Sequence, residues 1–123
     1  MKRKTVLVIS DGQEQFASTA LRLFQEGVYV RFENDVDHGL AGDEPPNLII
    51  SELAVANVDG LQLCRRMRRD RHLARTPVLL VGDLSKYSSI VRDSFKCGAA
   101  DYMQKPLDPV KLADLCRSML TGK

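Results

Sequence analysis

The sequence predicts an α/β fold, a parallel sheet of five strands with five helices on its two faces, in one domain spanning residues 1–123. Three observations predict it. Short apolar or β-branched runs recur at Thr5 to Ile9, Val28 to Phe32, Leu48 to Ser51, Val78 to Val81 and Ala100 to Met103. Stretches with apolar residues at helical spacing separate them. Glycine, proline or aspartate stands at most of the junctions, where the chain must turn. Strands that alternate with helices in this way form a parallel sheet covered on both sides.

Taken in order, Thr5 to Ile9 is the first strand and ends at Ser10-Asp11-Gly12. Phe16, Ala20, Leu23 and Phe24 then share one helical face. Gly27 sits where a helix end needs a left-handed residue. Val28 to Phe32 alternates, so it is placed at an edge or half-exposed. Asn34 or Asp35 can cap a short second helix through Leu40-Ala41, although Gly39 and Gly42 both oppose helix. Leu48 to Ser51, behind Pro45-Pro46, reads as a buried parallel strand with Glu52 at its tip. Asp59-Gly60 marks a turn. The third helix runs from about Gly60 to Arg69, with Leu61, Cys64 and Met67 inward. Thr76-Pro77 opens the fourth strand, which ends at Gly82-Asp83. Ser85 can cap a fourth helix whose apolar positions are Ile90, Val91 and Phe95, stopping at Gly98. After the fifth strand come Gln104-Lys105-Pro106. Asp108 as N-cap and Pro109 at the first helical position open the last helix, with Leu112, Leu115, Cys116 and Met119 inward.

The composition fits a globular chain: 44% hydrophobic and 28% charged residues leave room for a core and argue against disorder. A net charge of +2 does not by itself point to nucleic acid or membrane. The three cysteines, Cys64, Cys97 and Cys116, form no CxxC pair and lie in apolar helical patterns. They are expected to be buried, reduced thiols of a cytoplasmic protein. No apolar run approaches membrane-spanning length, and the stretch after the basic Met1-Lys2-Arg3-Lys4 is too short for a signal-peptide core. The sequence shows no internal repeat.

Right-handed crossovers leave few topologies for so short a chain. The flavodoxin-like, doubly wound strand order 2-1-3-4-5 leads. It gathers Asp11, Glu52, Gly82-Asp83 and Lys105 at the carboxyl edge of the sheet, where such folds bind ligands. Acids beside a lysine there suit a hard cation or a phosphoryl group.

At these residues the sequence resembles the receiver domain of bacterial two-component response regulators, of the chemotaxis-regulator type. The resemblance rests on three blocks in order: PNLIISELAVANVDGLQLCRRMR around Glu52, TPVLLV at the fourth strand, and GAADYMQKPL near the end. It implies a phosphorylation switch. In the family an acidic pair holds Mg²⁺, an aspartate at the third strand tip accepts phosphate from a histidine kinase, a Thr or Ser after strand four senses it, a lysine binds the phosphoryl oxygens, and an aromatic residue reports to the surface. Lys105 matches the lysine, Tyr102 the aromatic reporter and Asp11 the second acid of the pair. Pro106 matches a proline whose preceding peptide is usually cis. Asp59-Gly60 matches the loop, although Ala56 replaces a common proline.

Three positions depart from that pattern: Ser10 at the first acid, Glu52 at the acceptor aspartate and Gly82 at the sensing hydroxyl. A glutamate carries its carboxylate about 1.5 Å further out, and a misplacement of about 1 Å can cost about a hundredfold in rate. Glu52 is therefore a poor acceptor, but one able to pair with Lys105 permanently. Ser10 removes a charge from the cation site, so Asp11 and Glu52 are expected to form a weak Mg²⁺ site if any. Gly82 has no hydroxyl to offer a phosphoryl oxygen.

The resulting expectation is an atypical receiver: a non-enzymatic, phosphorylation-independent module that requires no cofactor. It would bind a protein partner, or a second copy of itself, through the face made by helix four, strand five and helix five, where Tyr87 and Tyr102 lie. One alternative is a slow but competent Mg²⁺-dependent phosphoacceptor served by a histidine kinase. A further one is a nucleic-acid or acidic-partner site on Arg65, Arg66, Arg68, Arg69, Arg71 and Arg75. That cluster has no interleaved aromatics for base stacking and reads more simply as a solvated helix face. His38 and His72 read as surface residues.

Overall fold

The structure, a computed structural model, describes residues 3–42, 44–55 and 58–121. Ala56, where the loop departs from the expected proline, lies outside the described residues, as do Met1, Lys2, Gly122 and Lys123.

Five parallel strands form the sheet: β1 (Thr5–Ile9), β2 (Tyr29–Glu33), β3 (Leu48–Glu52), β4 (Val78–Gly82) and β5 (Asp101–Gln104). Their spatial order is β2-β1-β3-β4-β5. This is the flavodoxin-like order expected from the sequence, with β2 at an edge. Five helices connect them: α1 (Ala17–Gln25), α2 (Val36–Leu40), α3 (Gly60–Arg69), α4 (Ser88–Lys96) and α5 (Pro109–Leu120). A single 3₁₀ turn, Gln13–Phe16, leads into α1.

Strand alternation splits the core into two layers. Leu7, Ile9, Ile49, Val78 and Leu80 face Val36 of α2, Leu63, Cys64 and Met67 of α3 and the inner side of α4. Val6, Val8, Leu48, Ile50, Leu79 and Val81 face Leu23 of α1 and Leu112, Ala113 and Cys116 of α5. The central strands are apolar on both faces, which is why their sequences run unbroken rather than alternating.

Local signals account for most helix ends. Asp35 caps α2, accepting from Asp37 N at 2.8 Å. Asp108 caps α5, accepting from Val110 N at 2.9 Å and Lys111 N at 3.2 Å, with Pro109 as the first helical residue. Asp59 and Gln62 form a reciprocal capping box on α3, a D-x-x-Q signal that the turn reading of Asp59-Gly60 did not use. Gly27 ends α1 with φ +86°. Gly39 is kept inside α2 by crowding: a Cβ there would lie 3.2 Å from Leu7 Cδ2.

Several expected positions are corrected. Ser85 does not cap α4; its hydroxyl donates to Asp83 Oδ1 at 2.7 Å, and the helix starts after Tyr87. Phe24 and Phe95 point outward, at 60% and 64% exposure. Leu63 rather than Leu61 fills the core under α3, and Ala113 and Leu120 are buried where Leu115 and Met119 are only half-buried. Cys64 and Cys116 are buried, but Cys97 is partly exposed. All three cysteines are free thiols. Beyond β3 the chain makes an antiparallel pair, Ala54–Val55 with Val58–Asp59, which the sequence did not signal.

Candidate functional site

Parallel register builds the site. Ile9 pairs with Ser51, so the next residues, Ser10 and Glu52, emerge side by side at the carboxyl ends of β1 and β3. Gly82 pairs with Gln104, so Lys105 follows directly beside the tip of β4. The Lys105 amide donates to Gly82 O at 3.0 Å, and the Lys105–Pro106 peptide is cis. Gln104 fastens this corner from the other side. Its Oε1 accepts from Leu84 N at 2.9 Å and its Nε2 donates to Lys105 O at 2.9 Å. Sequence reading passed over Gln104, because nothing local distinguishes it from any polar residue at an edge-strand end.

The side chains at the centre are mutually engaged. Lys105 Nζ donates to Glu52 Oε1, and Ser10 Oγ donates to Glu52 Oε2. Ser10 is wholly buried, and its Oγ also accepts from Gly12 N at 2.9 Å. The Glu52 and Lys105 side chains keep only 15% and 27% exposure. A pair this sheltered is screened less than a surface ion pair. Glu52, Lys105 and Ser10 are thus brought together: the Glu52–Lys105 pair as the sequence implied, the Ser10 bond to Glu52 beyond it.

Asp11 is not part of that contact: it is exposed, one residue beyond Ser10. Asp83 also turns away. It accepts from the Ser85 hydroxyl and, at 3.5 Å, from Gln104 Nε2. Hydrogen bonding, chiefly from Ser85, holds its carboxyl below the ordinary range. Among the described residues, no group of three His, Cys, Asp or Glu side chains is placed to hold a metal ion. A hard cation needs free carboxylate oxygens. Here one candidate acid is a serine, both oxygens of Glu52 have donors, and Asp11 points to solvent. As placed here, these residues form no ready-made carboxylate cluster for Mg²⁺.

On the opposite wall of the cleft, position 82 carries no side chain, beside Asp83 and Lys86. Gly82 has φ +156°, a conformation that side-chain-bearing residues rarely adopt. A Cβ added there would lie 3.0 Å from Leu53 Cδ1 and 3.3 Å from Leu53 Cβ. Leu53, buried and held by its amide to Val81 O at 2.9 Å, occupies the place a side chain at position 82 would need. An open cleft of about 290 Å³ remains between Glu52, Gly82, Lys86, Tyr87 and Lys105.

Tyr102 on β5 packs inward against α4. Its hydroxyl donates to Val91 O at 2.7 Å, and its ring lies 6.0 Å from that of the exposed Phe95. Burial pushes the phenol up to about 12. The arginine cluster divides. Arg68 donates to Cys97 O at 3.4 Å, to Gly98 O at 3.0 Å and to Ala74 O, placing a cation at the C-terminal end of α4, where the helix dipole favours it. Arg66 pairs with Asp37. The cluster therefore includes structural ties as well as exposed charge. His38 is exposed beside Asp35, at 3.1 Å.

A doubly wound sheet with a lysine–carboxylate pair at its carboxyl edge, a cis peptide after that lysine and a tyrosine on the adjoining strand defines a receiver-type signalling domain. Residues 6–117 match the response regulator receiver domain, and the chain belongs to that family. It is 32% identical over 117 residues to the DNA-binding dual master transcriptional regulator RpaA of Synechocystis, across 94% of this chain and 48% of RpaA. The chain spans about half the length of the curated relatives it matches first. Among solved structures, the signal receiver domain of a signal transduction histidine kinase from Syntrophus aciditrophicus superposes with TM-score 0.81 at 29% identity, covering 97% of this chain and 91% of that one. A CheY-like receiver domain protein from Methanospirillum hungatei gives TM-score 0.84 at 23% identity, covering 98% and 96%, a likeness of fold.

Proposed function

We propose that this receiver domain signals without being phosphorylated, as a non-enzymatic protein-interaction module of a two-component pathway in the bacterial cytoplasm. The observation that carries the reading is the engagement of Lys105 by Glu52, with Ser10 on the other carboxylate oxygen. The lysine that would meet a phosphoryl group already has a permanent anion. Phosphoryl transfer depends on positioning and on neutralising charge, and both are spent here on an internal pair. Gly82 and Leu53 support the same reading from the other side, since no hydroxyl stands there to sense a phosphate. The module requires no metal in this account.

The surface assigned to the partner is the one formed by α4, β5 and α5. Phe95, at 64% exposure, lies there with its ring tilted against that of the half-buried Tyr102, and a large exposed aromatic beside a polar-tipped one suits a protein contact. A second copy of the chain or an output protein would meet the same surface. The test is incubation with a small phosphodonor and Mg²⁺, read by intact mass. The unmodified mass is expected throughout. A stable added phosphoryl group would establish a competent acceptor instead.

A further inference from the structure

We propose that Ser10 is a positioning residue that turns Glu52 onto Lys105 and, by doing so, keeps the pocket from becoming a divalent-cation site. This rests on the phosphorylation-independent reading and extends it from the acid to the residue that orients it.

The argument starts from the hydroxyl. A serine has one O–H to donate and lone pairs that accept. Gly12 N–H occupies a lone pair of Ser10 Oγ at 2.9 Å, so the hydroxyl hydrogen is left for Glu52 Oε2. With Oε2 fixed, Oε1 faces Lys105 Nζ. Ser10 itself cannot move aside: it is wholly buried, and its amide donates to Glu33 O at 2.9 Å. The register of β1 on β3, with Ile9 opposite Ser51, sets Ser10 beside Glu52.

Now consider an acid at position 10. It would be a buried carboxylate beside a second, longer carboxylate, and two such groups at hydrogen-bond distance cannot both stay ionised comfortably. Either one takes up a proton or a cation enters between them. Glu52 is therefore compatible with Lys105 because residue 10 donates a hydrogen bond rather than carrying a charge. The two departures from the family pattern are one device, and reverting either alone should be worse than reverting both.

The experiment compares Ser10→Ala, Ser10→Asp, Glu52→Asp and the double variant Ser10→Asp/Glu52→Asp with the 123-residue chain itself. Thermal melting is measured with and without MgCl₂, and labelling by acetyl phosphate is read by intact mass. Ser10→Asp should melt roughly 5–10 °C below Ser10→Ala in the absence of Mg²⁺, because it adds a buried like charge where alanine only removes a bond. The double variant should regain stability on adding Mg²⁺. In it the shortened carboxylate at position 52 can form a P–O bond as the acyl–O–P bond of the donor breaks, the electron pair leaving with acetate. Labelling of the double variant should exceed that of Glu52→Asp by about tenfold or more, about the scale of one misplaced charge at a reacting centre. The inference is overturned if Ser10→Asp melts no lower than Ser10→Ala. It is overturned equally if Glu52→Asp labels as fully as the double variant, or if the double variant gains no Mg²⁺-dependent stability. Should Ser10→Asp fail to fold, the comparison of Glu52→Asp with the double variant decides alone. Labelling of the unaltered chain would instead overturn the phosphorylation-independent reading, while the melting comparison at position 10 would still decide this one.

Discussion

The two walls of the cleft solve opposite problems. On the wall made by β1, β3 and the start of the Lys105–Pro106 turn, three polar side chains satisfy one another: Ser10, Glu52 and Lys105. On the wall made by the tip of β4, position 82 itself carries no polar side chain, although Asp83 and Lys86 stand beside it. Gly82 offers no side chain, and Leu53 fills the space against it. The first wall holds a carboxylate on the lysine. The second has no hydroxyl at position 82.

The comparison is broken most forcefully at Leu53. Leu53→Ala removes a fully buried side chain next to a residue that cannot fill the gap, and should cost about 2–4 kcal/mol in urea unfolding. Gly82→Ser alone should cost about 1–3 kcal/mol, from overpacking against Leu53 and from the unusual backbone angle. Combined with Leu53→Ala the two costs should fall short of their sum, because the cavity accepts the new side chain. Strict additivity would mean that Leu53 is not what closes position 82.

The charged wall gives a smaller effect. Lys105→Ala leaves Glu52 sheltered with only Ser10 as partner. A fully buried broken pair costs about 3–5 kcal/mol, and the solvent still reaching both side chains reduces this to about 1–2 kcal/mol. Tyr102→Phe, which removes the bond to Val91 O, should cost about 0.5–1.5 kcal/mol. The informative quantity is their coupling. If the link between pocket and Tyr102 ends at Gly82, the double variant Lys105→Ala/Tyr102→Phe should be additive within about 0.5 kcal/mol. A larger coupling would show that the two ends still communicate.

The smallest effects come from the thiols and the phenol. Burial holds Cys64 at about 11 and Cys116 at about 12, so Cys97 should be the first to react with an alkylating reagent in the native chain, and the other two only on unfolding. Tyr102 and Cys116 both have folded values raised above their ordinary ones, to about 12. The stability they contribute is complete below the unfolded values, near 9 for the thiol and 10 for the phenol, and is lost as pH rises toward about 12. Melting temperature should therefore fall across that alkaline window, and Tyr102→Phe should flatten part of the fall.

Much of the fold was legible because its signals are local. Unbroken apolar runs marked the buried strands, and Asp108-Pro109 marked the start of α5 to the residue. The predicted topology placed Glu52, Gly82 and Lys105 together at strand tips, and the resemblance to the receiver family added Ser10 and gave Gly82 its meaning. Their mutual arrangement was only half legible. That Ser10 donates to Glu52 follows from the pairing of Ile9 with Ser51, residues 42 apart, as are Ser10 and Glu52 in the bond itself. No window of sequence contains it. The role of Leu53 was missed for the same reason, since a leucine after a strand looks like ordinary core. Phe24 and Phe95 misled in the other direction. A helical pattern assigns large apolar residues inward, whereas Thr19 and Ser94 take buried positions on those two helices. Thr19 donates to Pro109 O at 3.3 Å, where α1 meets α5, and the rings of Phe24 and Phe95 are left at the surface.

The central claim is that Lys105 has no vacancy for a phosphoryl group. Its most direct test is titration of the ¹⁵N-labelled chain with beryllofluoride and Mg²⁺, a mimic of the phosphorylated state, following the amides of Gly82, Tyr102 and Lys105. The account predicts no saturable shift at any of the three. Saturable shifts at all three together would contradict it, because the mimic could reach them only by displacing Glu52 from the lysine.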